Sequence, residues 1–144
     1  MKISTKGRYA LRVMLELAKN VEEKPVSVKE MAARQDISDK YLEQIISMLN
    51  KAGYVKSIRG PQGGYHLTKK PEEYTVGMIL RTIEGSLAPV ECLEYEVNTC
   101  ERKEFCPTLK VWEKLYAAIN DVVDSITLQD ILDDNPKASD YYMI

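Results

Sequence analysis

The sequence is short of the features that mark membrane, secreted and catalytic chains. Nowhere in its 144 residues do 18 consecutive apolar residues occur, which excludes a membrane-crossing helix of ordinary length. The basic stretch from Met1 to Tyr9 is not followed by a long apolar core and a cleavage site. It does not read as a secretory signal, and the expected location is the cytoplasm. Histidine occurs once, at His66. There is no Ser/His/Asp set, no HExxH and no phosphate-cradling GxxxxGKS loop, so a non-enzyme is expected. Cysteine is scarce too: Cys92, Cys100 and Cys106, an odd number within fifteen residues. In a cytosolic chain that grouping argues against a disulfide framework and for metal, cluster or redox chemistry.

What is present is unevenly distributed. The formal net charge is only −2. Residues 1–70 nevertheless hold 14 Lys/Arg against 7 Asp/Glu, a balance of +7, and residues 71–144 hold 6 against 15, a balance of −9. A basic half joined to an acidic half suggests that one end faces a polyanion.

Apolar periodicity and capping residues divide the chain. Ser4 is placed to cap a first helix running to Asn20, with Ala10, Leu11, Met14, Leu15, Leu17 and Ala18 at helical spacing. Ser27, with Glu30 three positions on, has the capping-box spacing and opens a second helix ending near Gln35. Ser38 opens a third, whose stripe is Leu42, Ile45, Ile46 and Leu49 and whose stop is Gly53. Only Asp36 and Ile37 separate the second and third helices, the signature of a helix-turn-helix. Strands are expected at Tyr54 to Ile58 and Tyr65 to Thr68, around the turn Arg59-Gly60-Pro61-Gln62-Gly63-Gly64. Thr75 caps a fourth helix that Gly85 stops.

Residues 86–105 show no period and read as a loop. A long helix is expected from Pro107, with Trp112, Leu115, Ile119, Val122 and Ile126 at spacings of 3, 4, 3 and 4, an a/d seam over about two heptads. Thr127 caps a last short helix through Leu132. The fold class is therefore mainly α with a small β-hairpin, a winged helix-turn-helix with a long C-terminal helix. The expected units are a DNA-binding winged helix at 1–85, a cysteine-bearing loop at 86–106, a dimerisation helix with a short helix at 107–134, and a tail at 135–144.

The third helix is the candidate reader of double-stranded DNA, since the N-terminal part of such a helix enters the major groove. Its outer face carries Ser38, Lys40, Tyr41, Glu43, Gln44 and Ser47. Gln44 suits adenine, Glu43 suits cytosine N4, and Lys40 and Tyr41 suit phosphates. In the wing, Arg59 beside Gly60, Gly63 and Gly64 suits phosphate or the minor groove. Lys2, Thr5 and Arg8 offer phosphate donors about the start of the first helix.

MKISTKGRYA at 1–10, Tyr41-Leu-Glu-Gln44 and Ser57-Ile-Arg-Gly-Pro-Gln-Gly-Gly-Tyr65 resemble the winged-helix regulators typified by the iron–sulfur cluster regulator IscR. That family includes the cysteine-metabolism repressor CymR and the nitric-oxide sensor NsrR. The resemblance implies a homodimer packed through the long helix, with the seam from Trp112 to Ile126 at its centre. It implies major-groove reading by Tyr41, Glu43 and Gln44 and wing contacts from Arg59 and Gly60. It further implies that Cys92, Cys100 and Cys106 hold a 2Fe–2S cluster whose state selects operators of cluster-biogenesis or redox-responsive genes. IscR-like proteins carry a histidine three residues after the third cysteine, where this chain has Leu109. A carboxylate is the remaining choice: Glu91, Glu94, Glu96, Glu101 and Glu104 are local, and Glu43 is the more interesting candidate for the fourth ligand, because a carboxylate on the reading helix would tie cluster occupancy to DNA. The alternative is a cysteine-metabolism type of repressor, controlled by a partner protein or by thiol oxidation.

Overall fold

Hydroxyl caps set most helix starts. In the computed structural model, which describes residues 2–22 and 24–135, Ser4 accepts a bond from the Gly7 N–H and opens helix α1 (Thr5–Lys19). Ser27 accepts from Glu30 N–H at the head of α2 (Val28–Gln35). Ser38 accepts from Tyr41 N–H at the head of α3 (Asp39–Lys51). The hairpin pairs β1 (Val55–Ile58) with β2 (Gly64–Leu67), Val55 opposite Leu67. Thr75 caps α4 (Val76–Glu84), and α5 (Leu109–Ser125) and α6 (Leu128–Asp134) follow. Thr127 and Asp130 form a reciprocal box at α6, each backbone N–H bonded to the other's side chain. Each such cap satisfies an otherwise orphaned helix N–H.

The helix-turn-helix bend is made by Asp36, whose φ of 56° and ψ of 48° are left-handed, a conformation that aspartate tolerates better than most residues. α1 runs through the middle of the domain. Val13 and Met14 on it, Met31 on α2 and Leu42, Ile45 and Leu49 on α3 are wholly excluded from solvent. Burying each such side chain is worth roughly 1.5–3 kcal/mol, so this helical stripe is the main source of stability. A smaller cluster of Val76, Leu80 and Leu87 receives Tyr116, Ile119, Val123 and Ile126 from the C-terminal segment.

That segment is anchored by backbone. Val76 N–H donates to the Ile126 carbonyl at 2.9 Å and Leu128 N–H to the Tyr74 carbonyl at 3.0 Å. The caps of α4 and α6 thus pair as a short antiparallel bridge, Thr75 with Thr127. Leu128 is fully buried in the main core.

The long helix departs from expectation in two ways. It starts at Leu109, two residues after Pro107, and Ile126 lies beyond its end in extended conformation. The expected continuous seam therefore divides. Ile119 and Ile126 pack inward on the smaller cluster, while Leu115 and Val122 are exposed. Of the expected tail, residues 136–144 lie outside the described residues.

Candidate functional site

The wing is set by three glycines and one tyrosine. Gly60 has a φ of +113°, a region that L side chains rarely adopt. A Cβ at Gly63 would collide with the Ile58 carbonyl, and one at Gly64 with the backbone of Val26. Val26 lies so close because its N–H and C=O both pair with Tyr65, at 3.2 and 2.9 Å. Gly63 and Gly64 are thus committed to shaping the wing, and Arg59 and Gly60 are exposed on it. At the wing's base the buried Tyr74 hydroxyl accepts from the N–H groups of Thr68 and Lys69, at 3.1 and 3.0 Å, and donates to the Tyr54 carbonyl at 2.8 Å. A phenol satisfied from three sides fixes the wing to the core.

On α3 the polar residues Ser38, Lys40, Glu43, Gln44 and Ser47 are all exposed. Tyr41 is only half-exposed. Its ring stands edge-on to Tyr9 of α1, centroids 6.1 Å apart, and Arg12 lies over the Tyr9 ring at 5.1 Å. The helix-turn-helix is braced from below by Glu16, buried on α1, which binds Arg34 at 2.7 Å and Gln35 at 3.2 Å on α2.

Lys2, Thr5 and Arg8 are exposed at the start of α1, with Arg8 donating to the Thr5 hydroxyl at 3.2 Å. The cap there is already engaged. The Glu84 carboxylate at the end of α4 accepts from both the Ser4 N–H and the Ser4 hydroxyl. Sequence reasoning missed this contact. Its signal was an acidic residue in a helix's last turn, where the dipole disfavours it unless a tertiary partner compensates.

The outer face of α5 is apolar without a cover. None of its residues is buried, and Val111 and Val122 are more than half exposed. Trp112 and Ile119 are partly covered. Arg81 of α4 grips the opposite side of the helix. It bonds both carboxylate oxygens of Asp124, at 2.6 and 3.0 Å, and Asn120 at 2.8 Å. The Asp124 carboxyl is held below its ordinary pKa by the hydrogen bond from Arg81, and the guanidinium's pKa is raised in return.

The three cysteines do not form one ligand set. All are free thiols. Cys92 lies on a short 3-10 turn, Glu91–Leu93. Cys92 and Cys100 line one open pocket of about 550 Å³ with Glu91, Glu94, Tyr95 and Thr99, and Cys106 is not among its walls. Cys106 sits at the head of α5, 3.6 Å from the Thr108 hydroxyl. Its pKa is lowered by hydrogen bonds from that hydroxyl and from the backbone of Thr108 and Leu109, the usual effect of a helix N-terminus on a thiol. Glu43 lies on the exposed face of α3 and His66 on β2. Among the described residues, no three His, Cys, Asp or Glu side chains come together in a group able to hold a metal ion. A cluster needs its thiolates converged, and the donors present do not fit one.

The Rrf2 family profile, described as an iron-dependent transcriptional regulator, matches residues 3–134. The chain is 44% identical over 143 residues to the HTH-type transcriptional regulator CymR of Bacillus subtilis, covering 99% of this chain and 98% of that one. The solved structure of that protein, the global cysteine regulator of B. subtilis, superposes with a TM-score of 0.76 at 43% identity over 91% of this chain and 95% of that one. T. potens IscR gives a TM-score of 0.74 at 44% identity, covering 93% and 88%. The oxidised form of Staphylococcus aureus CymR gives 0.73 at 37%, covering 91% and 95%. These likenesses agree with the winged helix-turn-helix class. The expectation of an iron–sulfur sensor with Cys92, Cys100, Cys106 and Glu43 as ligands is corrected. The relative matched over 99% of this chain and 98% of its own is a cysteine regulator, and among the described residues the three thiols do not come together as a ligand group.

Proposed function

The chain belongs to the Rrf2 family of transcriptional regulators, and from that membership we propose that it is a homodimeric repressor of the cysteine-regulator kind, binding double-stranded operator DNA and responding to thiol oxidation or to a partner protein. It is a regulator and not an enzyme. The observation that carries the DNA reading is the shared exposure of Lys40, Glu43 and Gln44 on α3 and of Arg59 and Gly60 on the wing, above a closed core. Glu43 and Gln44 would meet base edges, with Ser38 and Lys40 on phosphate and Tyr41 held against Tyr9 at the rim. Arg59 would enter the minor groove or grip its edge, while Lys2, Thr5 and Arg8 add sequence-independent phosphate contacts.

Residues 1–85 are the DNA-binding unit in this reading, 86–106 the thiol loop and 107–134 the dimerisation segment. The uncovered face of α5 with Val111, Leu115 and Val122 supports a second copy as its cover, because paired helices bury such stripes. Cysteine control is supported by the full-length likeness to the B. subtilis regulator and by three free thiols in the loop leading to α5. No helix among the described residues is long and apolar enough to cross a membrane.

The test is selection from random duplexes at low ionic strength, followed by fluorescence anisotropy across a salt series. Binding that weakens steeply and linearly in log–log form with salt is expected. Failure to retain any duplex under reducing conditions would overturn the reading.

A further inference from the structure

We propose that Cys92 and Cys100 are a reversible dithiol–disulfide pair, and that oxidation by a hydroperoxide closes the loop between α4 and α5. The inference rests on the thiol-control reading above and names the pair that performs it. Both sulfur-bearing residues line the same open pocket from separate turns. Cys92 is held on the 3-10 turn, and the Cys100 N–H donates to Asn98 Oδ1 at 2.9 Å. Cys106 is outside that pocket and engaged with Thr108. The intervening segment 94–99 contains no helix or strand, so drawing its ends together breaks no regular hydrogen-bond ladder. The loop to be closed is short, and its closure entropy is correspondingly small.

Of the pair, Cys100 is the more exposed thiol and takes the oxidant, with Cys92 in the same pocket to resolve it. Its sulfur, as thiolate, attacks one oxygen of the hydroperoxide. The O–O bond breaks, water or an alcohol leaves with a proton, and Cys100 becomes a sulfenic acid. The Cys92 sulfur then attacks the Cys100 sulfur. The S–O bond breaks, water leaves with the Cys92 proton, and the disulfide forms. Two thiols lose two electrons and one O–O bond gains them.

The pair also has a mechanical route to the DNA-facing head. A disulfide holds its Cα atoms roughly 4.4–6.8 Å apart, so the bond would fix the spacing of the two pocket walls that carry Cys92 and Cys100. Glu91 and Glu94 form walls of this pocket and also of a neighbouring cleft of about 300 Å³ whose other walls include Lys2 and Ile3 of the N-terminal arm and Ile119 and Val123 of α5. Fixing that wall would bear on the cleft the arm shares, next to the Ser4 cap.

Trypsin reads the pair directly. Cleavage at Arg81, Arg102, Lys103 and Lys110 puts Cys92 and Cys100 in one peptide, 82–102, and Cys106 in another, 104–110. After hydrogen peroxide treatment of the full chain and iodoacetamide quenching, the 82–102 peptide should be lighter by two hydrogens and unalkylated, and 104–110 alkylated. Intact mass should stay that of one chain, and dithiothreitol should reverse the change. Cys106→Ser should still form the bond. A link between 82–102 and 104–110, a link between chains, or full alkylation of all three thiols would overturn the pair. Anisotropy on the selected duplex separates the two levels. A bond that forms in 82–102 while DNA affinity stays constant keeps the pair and removes thiol control.

Discussion

The head and the segment that follows it are built on opposite terms. In α1, eight of fifteen residues are buried, and the stripe on α3 is closed from all sides. In α5, seventeen residues long, none is buried. The head's core is closed, with Leu128 of α6 inserted into it. α5 is tied to it through Arg81–Asp124, the small apolar cluster and the backbone bridge at Thr75–Thr127. The difference teaches that stability and assembly are written in separate places. On the reading proposed above, a head that meets DNA must hold its shape beforehand, whereas a helix that pairs with a second copy would keep its apolar face uncovered until that copy is present.

The sharpest way to break this comparison is one truncation on each side. Leu42→Ala, in the closed core, is expected to lower unfolding stability by about 2–5 kcal/mol in urea titrations. Val122→Asp, on the open face, should leave the monomer's helical signal intact and shift sedimentation toward single chains. Equal effects of the two on unfolding would mean that α5 belongs to the head's core. Next in size, Arg59→Ala should weaken duplex binding by about 1–3 kcal/mol at matched salt if it makes a specific contact, with unfolding unchanged. Affinity equal to wild type would remove the wing from the interface.

Smaller effects probe the join between the regions. Cys106 should react with iodoacetamide faster at neutral pH than an ordinary cysteine thiol, because its lowered pKa leaves more thiolate there. Thr108→Ala should slow Cys106, and an unaltered rate would remove the hydroxyl as the cause. Smallest of all is Asp124→Asn. The folded-state pKa of Asp124 is depressed, so its contribution is present above the ordinary aspartate pKa and is lost as pH falls through the folded value. Both partners are well exposed, at 34% and 47%, so solvent screening limits the loss at neutral pH to about 0.5 kcal/mol or less. The variant and wild type should converge in acid. A gap that persists there would assign the effect to something other than the ion pair.

Local grammar was the legible part. Ser4, Ser27, Ser38, Thr75 and Thr127 all cap where their spacing predicts, and Gly53 and Gly85 follow helix ends with φ near +80°. The first strand starts one residue later than expected, over Val55–Ile58, and the second lies one residue earlier at both ends, over Gly64–Leu67. At α2 the expected box is half formed, since Ser27 accepts from Glu30 N–H without a return bond among those described. Gly64 illustrates the limit of such reading. Its neighbours mark a turn, but the Val26 backbone that forbids a side chain there lies 38 positions upstream.

The sequence by itself determined the winged helix-turn-helix order, the buried stripes and the exposed polar face of α3, because caps, turns and helical periods act over three or four residues. Only the tertiary structure decided that Cys106 stands apart from Cys92 and Cys100, that Glu84 seals the start of α1 and that the α5 seam divides between inside and outside. Those outcomes depend on groups brought together across loops and helices distant in sequence. In 86–105, where no period restrains the backbone, spacing alone carries no geometry.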